Sequence, residues 1–185
     1  MNILKTDIDG VLILEPRVFG DSRGYFFESW SKTRYHEAGI DCDFVQDNES
    51  CSSYGVLRGL HYQAAPYTQA KLVRVIQGAV LDVAVDIREG SPTYGKHVAV
   101  ELSGENKRQL FIPRGFAHGF AVLSQTAIFA YKCDNFYQPS AERGIRFDDP
   151  QLAINWQVRP DHWNLSEKDT RHPAFRDIQP WRPTP

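Results

Sequence analysis

GVLRGLHYQ (residues 55–63), KLVRVIQG (71–78) and PRGFAH (113–118) are the stretches of sequence that decide the fold. Each is a short run, rich in apolar residues, that begins or ends at a glycine or a proline. Turn signals of the same kind recur at short intervals through the rest of the chain. Short strands at such spacing, without alternating helical segments, predict an antiparallel β-sandwich or barrel.

Residues 79–87 lie between these stretches and carry a clear strand signal. Leu81, Val83 and Val85 alternate there with Asp82 and other small or polar residues. A period of two places alternate side chains on opposite faces of a strand. We therefore expect a strand with one face in the core.

Helical signals are few and short. Residues 32–38 are the best helix candidate, with Ser31 as a possible cap and Gly39 as its end. Ser166 is expected to cap a second short turn, which must stop before Pro173. The prediction is an all-β fold with a few short peripheral helices.

Length and composition favour one domain. The chain has 185 residues, of which 42% are hydrophobic and 24% charged, as in ordinary globular proteins. We expect a single domain over residues 1–185. The proline-rich residues 172–185 are expected to form an extended C-terminal arm.

Charge and cysteine content narrow the class of protein. The net charge of −2 lacks the basic excess of a general nucleic-acid binder. Three cysteines without a CxxC pair favour a reducing compartment over a disulfide framework or a zinc knuckle. The apolar run at residues 11–14 is too short for a signal segment or a membrane span. We expect a cytoplasmic protein with neither nucleic acid nor membrane as a partner.

The three stretches resemble the two signature blocks of the cupin family, a resemblance that implies a jelly-roll barrel. A metal-binding cupin has a histidine at position 63 and a carboxylate at position 71, whereas this chain has Gln63 and Lys71. A lysine ammonium repels a divalent ion, and two histidines alone make a poor metal site. The sequence therefore predicts no metal and a pocket that contains His61, Lys71 and His118.

These side chains suit proton transfer next to a carbonyl group. Lys71 can stabilise the oxygen where negative charge develops on enolisation, and His61 can take the α-proton. Inversion of the carbon needs a proton donor on the opposite face, for which Tyr131 is the candidate. Asp169 is the candidate carboxylate that orients His61.

A series of blocks along residues 17–169 closely resembles the dTDP-4-dehydrorhamnose 3,5-epimerase family. The blocks are RGYFFESW (23–30), QDN (46–48), GVLRGLHYQ (55–63), KLVRVIQG (71–78), DVAVDIR (82–88), PRGFAHGF (113–120), YK (131–132) and LSEKD (165–169). The resemblance implies an isomerase that epimerises C3 and C5 of dTDP-4-dehydro-6-deoxy-D-glucose, without a cofactor, in dTDP-L-rhamnose biosynthesis.

The resemblance also implies roles for individual residues. His61 would accept the proton with support from Asp169, Tyr131 would donate one, and Lys71 and His118 would surround the sugar. The remaining substrate-binding residues would contact the deoxythymidine diphosphate: Phe19, Arg23, Phe26, Glu28, Gln46, Asn48, Arg58, Tyr137, Glu142 and Lys168. The arginines would meet the diphosphate, since a guanidinium fork matches phosphate oxygens.

Members of this family are homodimers. The resemblance implies that strands before Arg34 cross to the partner and that the part of the site near Phe19 and Arg23 comes from the second chain. Three alternatives stay open. They are an epimerase that inverts only one carbon, a non-catalytic cupin that binds a nucleotide sugar, and a metal-dependent cupin oxygenase.

Overall fold

The computed structural model describes residues 1–183. These residues contain thirteen β-strands and five short helices. The strands are β1 (Asn2–Lys5), β2 (Leu12–Glu15), β3 (Phe19–Asp21), β4 (Gly24–Phe26), β5 (Gln46–Ser53), β6 (Leu57–Gln63), β7 (Lys71–Gln77), β8 (Ala79–Asp86), β9 (His97–Ser103), β10 (Gln109–Ile112), β11 (Phe116–Val122), β12 (Thr126–Cys133) and β13 (Glu142–Gly144). The helices are α1 (Lys32–Glu37) and four 3₁₀ turns, Pro139–Ala141, Pro160–His162, Asp169–Arg171 and Phe175–Asp177.

Two antiparallel sheets face each other. The larger has the order β1-β2-β10-β7-β12-β5 and the smaller has the order β13-β6-β11-β8-β9, while β3 and β4 form a separate hairpin. Neighbours in the sheets are mostly distant in sequence, as in a jelly roll. The predicted all-β, cupin-type roll with short peripheral helices is confirmed.

The space between the sheets is filled by apolar side chains from both. Val73 of β7, Leu110 of β10 and Phe129 of β12 meet Ala84 of β8 and Phe120 of β11 in one buried cluster. Phe120 and Phe129 stack with ring centroids 4.2 Å apart. Phe120 and Phe129 of this cluster also line a cavity between the sheets.

Strand β8 is buried on both faces. Leu81 and Val83 pack outward against Trp156 and Phe175. The predicted alternation of side chains holds, but both faces of the strand are covered and neither is exposed to solvent. Asp82 lies on that opposite face and is fully buried. The reason is that segments after β13 cover the outside of the smaller sheet.

The C-terminal residues form part of this cover, so the predicted extended arm is wrong over residues 172–183. Phe175 is 1% exposed, and its N–H donates to Asp149 Oδ2 at 2.8 Å. Trp181 pairs with Arg88 in a parallel bridge. Large apolar side chains among the prolines hold the segment against the sheet. Thr184 and Pro185, the end of the predicted arm, lie outside the described residues.

Helix α1 ends one residue earlier than predicted and is held by Tyr35. The Ser31 side chain makes no capping hydrogen bond, so that expectation is wrong, and the Ser31 carbonyl instead accepts the Tyr35 N–H at 3.0 Å. The buried Tyr35 hydroxyl donates to Gln109 Oε1 at 2.7 Å. Gly39, with φ of +84°, ends the helix as predicted. In residues 1–183 no helix is long and apolar enough to span a membrane.

The N-terminal strands belong to their own chain's sheet. Strand β1 pairs with β2, and β2 pairs with β10. Leu14 of β2 is fully buried beneath α1. The expectation that strands before Arg34 cross to a partner stays a prediction, and β1 lies at the edge of the larger sheet.

Candidate active site

A cavity of about 580 Å³ opens between the two sheets. The smaller sheet contributes His61 from β6 and His118 from β11, and the larger contributes Lys71 from β7 and Tyr131 from β12. The opposing sheets thus bring polar groups to facing walls. Phe120 and Phe129 are among the apolar residues that line it.

Close contact between β6 and β11 places the two histidines side by side. His61 is the register partner of His118, and the register shifts between His118 and Phe120. Gly59 has φ of +122°, and a Cβ added there would lie 2.5 Å from the Gly119 Cα. Only glycine fits this position, because any side chain would separate the strands.

His61 and Asp169 form a dyad. His61 Nε2 lies 2.5 Å from Asp169 Oδ1, and the carboxylate is almost completely buried. Ser166 holds it in place, since the Ser166 hydroxyl donates to Oδ2 at 2.7 Å and accepts the Asp169 N–H at 3.2 Å. Ser166 thus caps its turn, as the sequence predicts.

The hydrogen bonds fix the protonation of the dyad. Burial alone would raise the pKa of Asp169, but the hydrogen bonds from His61 and Ser166 outweigh it and lower that pKa below its ordinary value. An ionised Asp169 accepts the proton on His61 Nε2. Nδ1, which has no hydrogen-bond partner in residues 1–183, is then the unprotonated nitrogen that can act as a base.

Lys71 reaches the cavity at the start of β7. Its Nζ lies 5.7 Å from the centre of the Tyr131 ring and makes no ion pair with a carboxylate of residues 1–183. Burial lowers the pKa of Lys71, against the opposing effects of Cys133 and Asp82. A cation without a partner in such a place is available to an anionic atom of a ligand.

His118 makes a second, fully buried pair with Asp82. His118 Nε2 lies 2.9 Å from Asp82 Oδ2. Burial lowers the pKa of His118, although the neighbouring Asp82 acts in the opposite direction. The neutral His118 ring therefore donates a hydrogen bond from Nε2 to Asp82. Its unprotonated Nδ1 can accept a hydrogen bond from another group.

Tyr131 stands on the larger sheet, opposite the sheet that carries His61. Burial raises the pKa of its hydroxyl above the ordinary value. The hydroxyl therefore stays protonated near neutral pH and can give a proton. A base and a proton donor thus come from facing walls of one cavity.

The mouth of the cavity is polar. The Tyr137 hydroxyl donates to Glu142 Oε2 at 2.7 Å, and Lys168 forms an ion pair with Glu142. Gln46 donates to Asn48 Oδ1 at 2.9 Å and accepts the Tyr137 N–H at 2.9 Å. All of these except Lys168 line an adjoining space of about 340 Å³ that also contacts His61, Lys71 and Tyr131.

Arg58 lines the main cavity, where its guanidinium donates to Ser52 Oγ at 3.2 and 3.3 Å. Arg58 is exposed to solvent as well as lining the cavity.

The β3–β4 hairpin does not reach the cavity of its own chain. Phe19 and Phe26 are 51% and 70% exposed, and Arg23 pairs with Asp21 at 2.5 Å on the hairpin itself. Glu28, just after the hairpin, forms an ion pair with Arg34 at 3.4 Å. These four predicted substrate-binding residues are therefore separate, within one chain, from the other eleven predicted site residues.

Positions that bind the metal in metal-binding cupins carry other side chains in this protein. The Gln63 side chain donates to the Tyr67 carbonyl at 2.6 Å and accepts the Gln138 N–H at 2.7 Å, so it fastens loops. In residues 1–183, His61, Asp169 and His172 bring potential ligand atoms within 4.8 Å of one another. Two of these atoms already share the dyad hydrogen bond, which argues for proton transfer at this point.

Sequence reasoning missed two groups. Asp82 lies in a recognisable block, and its charge on the inward face of a buried strand was the signal that it has a partner. His172 packs beside the dyad, with ring centroids 5.4 Å from His61. No periodicity marks His172, because only the folded tail brings it there.

A base and an acid on facing walls can invert a carbon centre when a cation stabilises the intermediate enolate. These features define the chain as an isomerase with a cupin-type fold. The family model described as dTDP-4-dehydrorhamnose 3,5-epimerase matches residues 5–177, and the chain belongs to this family.

Relatives of similar length support the assignment. The chain is 57% identical over 178 residues to a dTDP-4-dehydrorhamnose 3,5-epimerase of Shigella flexneri, covering 96% of this chain and 97% of the relative. It is 54% identical over 172 residues to that of Escherichia coli K12, with 92% of each covered. A solved structure from Legionella pneumophila Philadelphia 1 is described as dTDP-6-deoxy-D-glucose-3,5-epimerase in complex with dTDP-4-keto-L-rhamnose. It has a TM-score of 0.93 and 55% identity, covering 96% of this chain and 94% of that one.

Proposed function

We propose that the chain converts dTDP-4-dehydro-6-deoxy-D-glucose to dTDP-4-dehydro-L-rhamnose by inverting C3 and C5, as a step of dTDP-L-rhamnose biosynthesis. Family membership and the ligand named for the Legionella structure support this assignment. The observation that carries the mechanism is the His61–Asp169 dyad facing Tyr131 across one cavity.

His61 removes the proton from the sugar. The C4 ketone acidifies the hydrogens at C3 and C5, and the unprotonated Nδ1 takes one of them. The new imidazolium is stabilised by Asp169, whose lowered pKa keeps it ionised. Lys71 offers its ammonium to the enolate oxygen at C4, where the charge appears only as the bond breaks.

Tyr131 returns a proton to the sugar. Its hydroxyl lies on the wall opposite His61, so protonation from that side gives the inverted configuration. His118, neutral and fixed by Asp82, presents an acceptor to a sugar hydroxyl. One ketone activates both neighbours, so the same base and acid serve each inversion after the ring shifts.

Residues at the mouth of the cavity bind the nucleotide. Arg58 suits a phosphate oxygen, and the amides of Gln46 and Asn48 suit a base edge. Tyr137 offers an exposed ring for stacking on the thymine, while Glu142 and Lys168 close the remaining side.

We further propose a homodimer in which the β3–β4 hairpin completes the partner's site. Phe19, Arg23 and Phe26 are exposed and remote from their own cavity, and Glu28 lies beside them. Aromatic rings and a guanidinium are suited to a nucleoside diphosphate. We place the protein in the cytoplasm, in keeping with its three unpaired cysteines.

The test is incubation with the ketosugar nucleotide in D₂O, followed by NMR of the product. We expect deuterium at both C3 and C5 and the L-rhamno configuration. Deuterium at one carbon alone would favour the single-carbon epimerase, and unlabelled starting sugar would refute the proposal. His61→Asn is the control that should give no label while keeping the fold.

A further inference from the structure

His172 is a buried histidine that the proposed mechanism does not use. Its side chain is 10% exposed, and its Nε2 atom is buried without a hydrogen-bond partner in residues 1–183. Buried polar atoms are nearly always paired, so this nitrogen requires an explanation. It lies 3.6 Å from Asp169 Oδ1, the same oxygen that His61 Nε2 contacts at 2.5 Å. Two imidazoles and one carboxylate therefore meet at one place.

The fold makes room for the His172 ring beside the dyad. Gly144 of β13 is the register partner of His61, and a Cβ added at Gly144 would overlap the His172 ring at Nε2. The carbonyl of Pro173, the next residue, accepts the Arg146 N–H at 2.9 Å and fixes the chain beyond the ring. The position of His172 is thus set by the backbone on both sides of it.

The three side chains form the donor set of a transition-metal site. Two imidazole nitrogens and a carboxylate oxygen are a common ligand set for Zn²⁺, with a fourth position left for water. One ligand atom each from His61, Asp169 and His172 lies within 4.8 Å of the others. Ligand atoms around a tetrahedral zinc ion lie about 3.4 Å apart, so the His172–Asp169 distance of 3.6 Å already fits. The His61–Asp169 distance must widen by about 1 Å when an ion replaces the proton between them.

Ser166 orients the carboxylate for such an ion. Its hydroxyl donates to Asp169 Oδ2 at 2.7 Å, which leaves Oδ1 to the two imidazoles. Hydrogen bonds of this kind fix the ligating carboxylates of metal sites and raise their affinity. His61 and Asp169 line the substrate cavity, so an ion can reach them from there.

We propose that His61, Asp169 and His172 bind a divalent transition-metal ion, with Zn²⁺ as the best fit, and that the bound ion inhibits the epimerase. Imidazole ligands favour Zn²⁺, Ni²⁺ and Cu²⁺ over Mg²⁺ and Ca²⁺, which prefer oxygen ligands. The site is different from the cupin metal position, at which Gln63 and Lys71 disfavour a metal. Asp169 and His172 supply ligands that the cupin position lacks here.

Inhibition follows from the tautomer that the ion imposes on His61, and this step rests on the proposed function. In the dyad His61 carries its proton on Nε2, and Nδ1 is the free base. An ion at Nε2 needs the lone pair of that nitrogen, so the N–H bond there breaks and water carries the proton to Nδ1. The ring stays neutral, but Nδ1 no longer has a lone pair with which to take a hydrogen from the sugar.

Neighbouring charges limit the affinity of the site. Lys71 lines the same cavity, and Lys168 is close enough to His172 to disfavour a positive charge there. Lys168 is itself paired with Glu142, which offsets its effect. We therefore expect binding weaker than that of a structural zinc site, with the ion acting as a reversible inhibitor and not as a resident cofactor.

Binding is measured on the whole chain without substrate. Calorimetric titration with ZnCl₂ should show heat of binding, and Co²⁺ as a probe should give the visible absorption of an ion with nitrogen ligands. We expect His172→Ala and His172→Gln to weaken Zn²⁺ binding at least roughly tenfold. Both should turn over like wild type, because in the described part of the chain His172 lies behind Asp169 and not among the residues that line the cavity. His36→Ala removes an exposed histidine that lies 3.1 Å from Asp41 and is the matched control.

Inhibition is measured as the loss of deuterium uptake from D₂O. ZnCl₂ at about 100 µM should stop wild type and His36→Ala, EDTA should restore both, and MgCl₂ at the same concentration should have no effect. The two His172 variants should stay active at zinc concentrations that inhibit wild type. Circular dichroism checks that each variant is folded.

The two measurements fail in different ways. Equal zinc affinity in wild type and in the folded His172 variants would overturn the metal site. Zinc binding that left deuterium uptake unchanged would overturn the inhibition. Absence of uptake by metal-free wild type would instead overturn the proposed function, while the calorimetry would still decide the metal site.

Discussion

Replacement of Asp169 by Asn tests the dyad most directly. The variant keeps the shape of the side chain, and its amide oxygen can still accept from His61 while its NH₂ turns to the Ser166 hydroxyl. What is lost is the negative charge 2.5 Å from Nε2 in an almost completely buried site. That charge matters only when His61 is protonated, which is the state formed during the reaction.

The size of the effect follows from the geometry. Opposite unit charges about 4 Å apart attract by about 4 kcal/mol at an effective dielectric constant of about 20. Each 1.4 kcal/mol of barrier is about a factor of ten in rate, so the upper limit is near 10³. The amide dipole retains a part of this, and we expect kcat to fall by roughly 10²–10³. KM should change little, since Asp169 stands behind His61.

The assay is the rate of solvent deuterium uptake at C3 and C5 under saturating substrate. Ser166→Ala is the graded control, because it removes one hydrogen bond to Asp169 and leaves the charge. We expect it to lose less activity than Asp169→Asn. If folded Asp169→Asn retained kcat within about threefold of wild type, the carboxylate would not stabilise an imidazolium and the argument for His61 as base would fail.

Further predictions concern the cation, the acid and the fold. Lys71→Met should lower kcat by roughly 10²–10³, the scale of one lost oxyanion donor, and a smaller loss measured by deuterium uptake would place the enolate elsewhere. Tyr131→Phe should abolish inversion yet still allow His61 to exchange the substrate's own hydrogen slowly, which NMR distinguishes. Asp86 has its pKa lowered from 3.8 to about 2, because its hydrogen bonds from Arg88, Ser91 and Thr93 outweigh the effect of burial. This stabilisation is present above pH 4 and is lost as the pH falls towards 2, so Asp86→Asn should cost about 2 kcal/mol at pH 7 in urea unfolding and almost nothing at pH 2.

The sequence predicted those parts of the fold that local patterns encode. Alternation in residues 79–87 gave strand β8, and glycine at 59 and 119 accompanied the close pairing of β6 with β11. Burial of Phe175 was missed because it depends on the outer face of β8, which lies nearly a hundred residues earlier in the chain. A pattern gives the face of a strand but does not give what covers that face.

The same limit applies to the site. Lys71 in place of a carboxylate pointed to carbanion chemistry because its charge alone disfavours a metal. His172 sits only three residues from Asp169, yet nothing local directs its ring toward His61. That contact depends on Gly144 being small where β13 meets β6.

The two buried carboxylates explain why Lys71 remains available to a substrate. Asp82 is close enough to Lys71 to favour its charged form, and a direct ion pair between them would neutralise the cation. His118 holds Asp82 at 2.9 Å instead, while His61 and Ser166 hold Asp169. Each acid is thus satisfied by a neighbour other than the lysine, and the ammonium is left as an electrostatic site that an enolate can fill. His118 therefore restrains Asp82 and keeps it from pairing with Lys71.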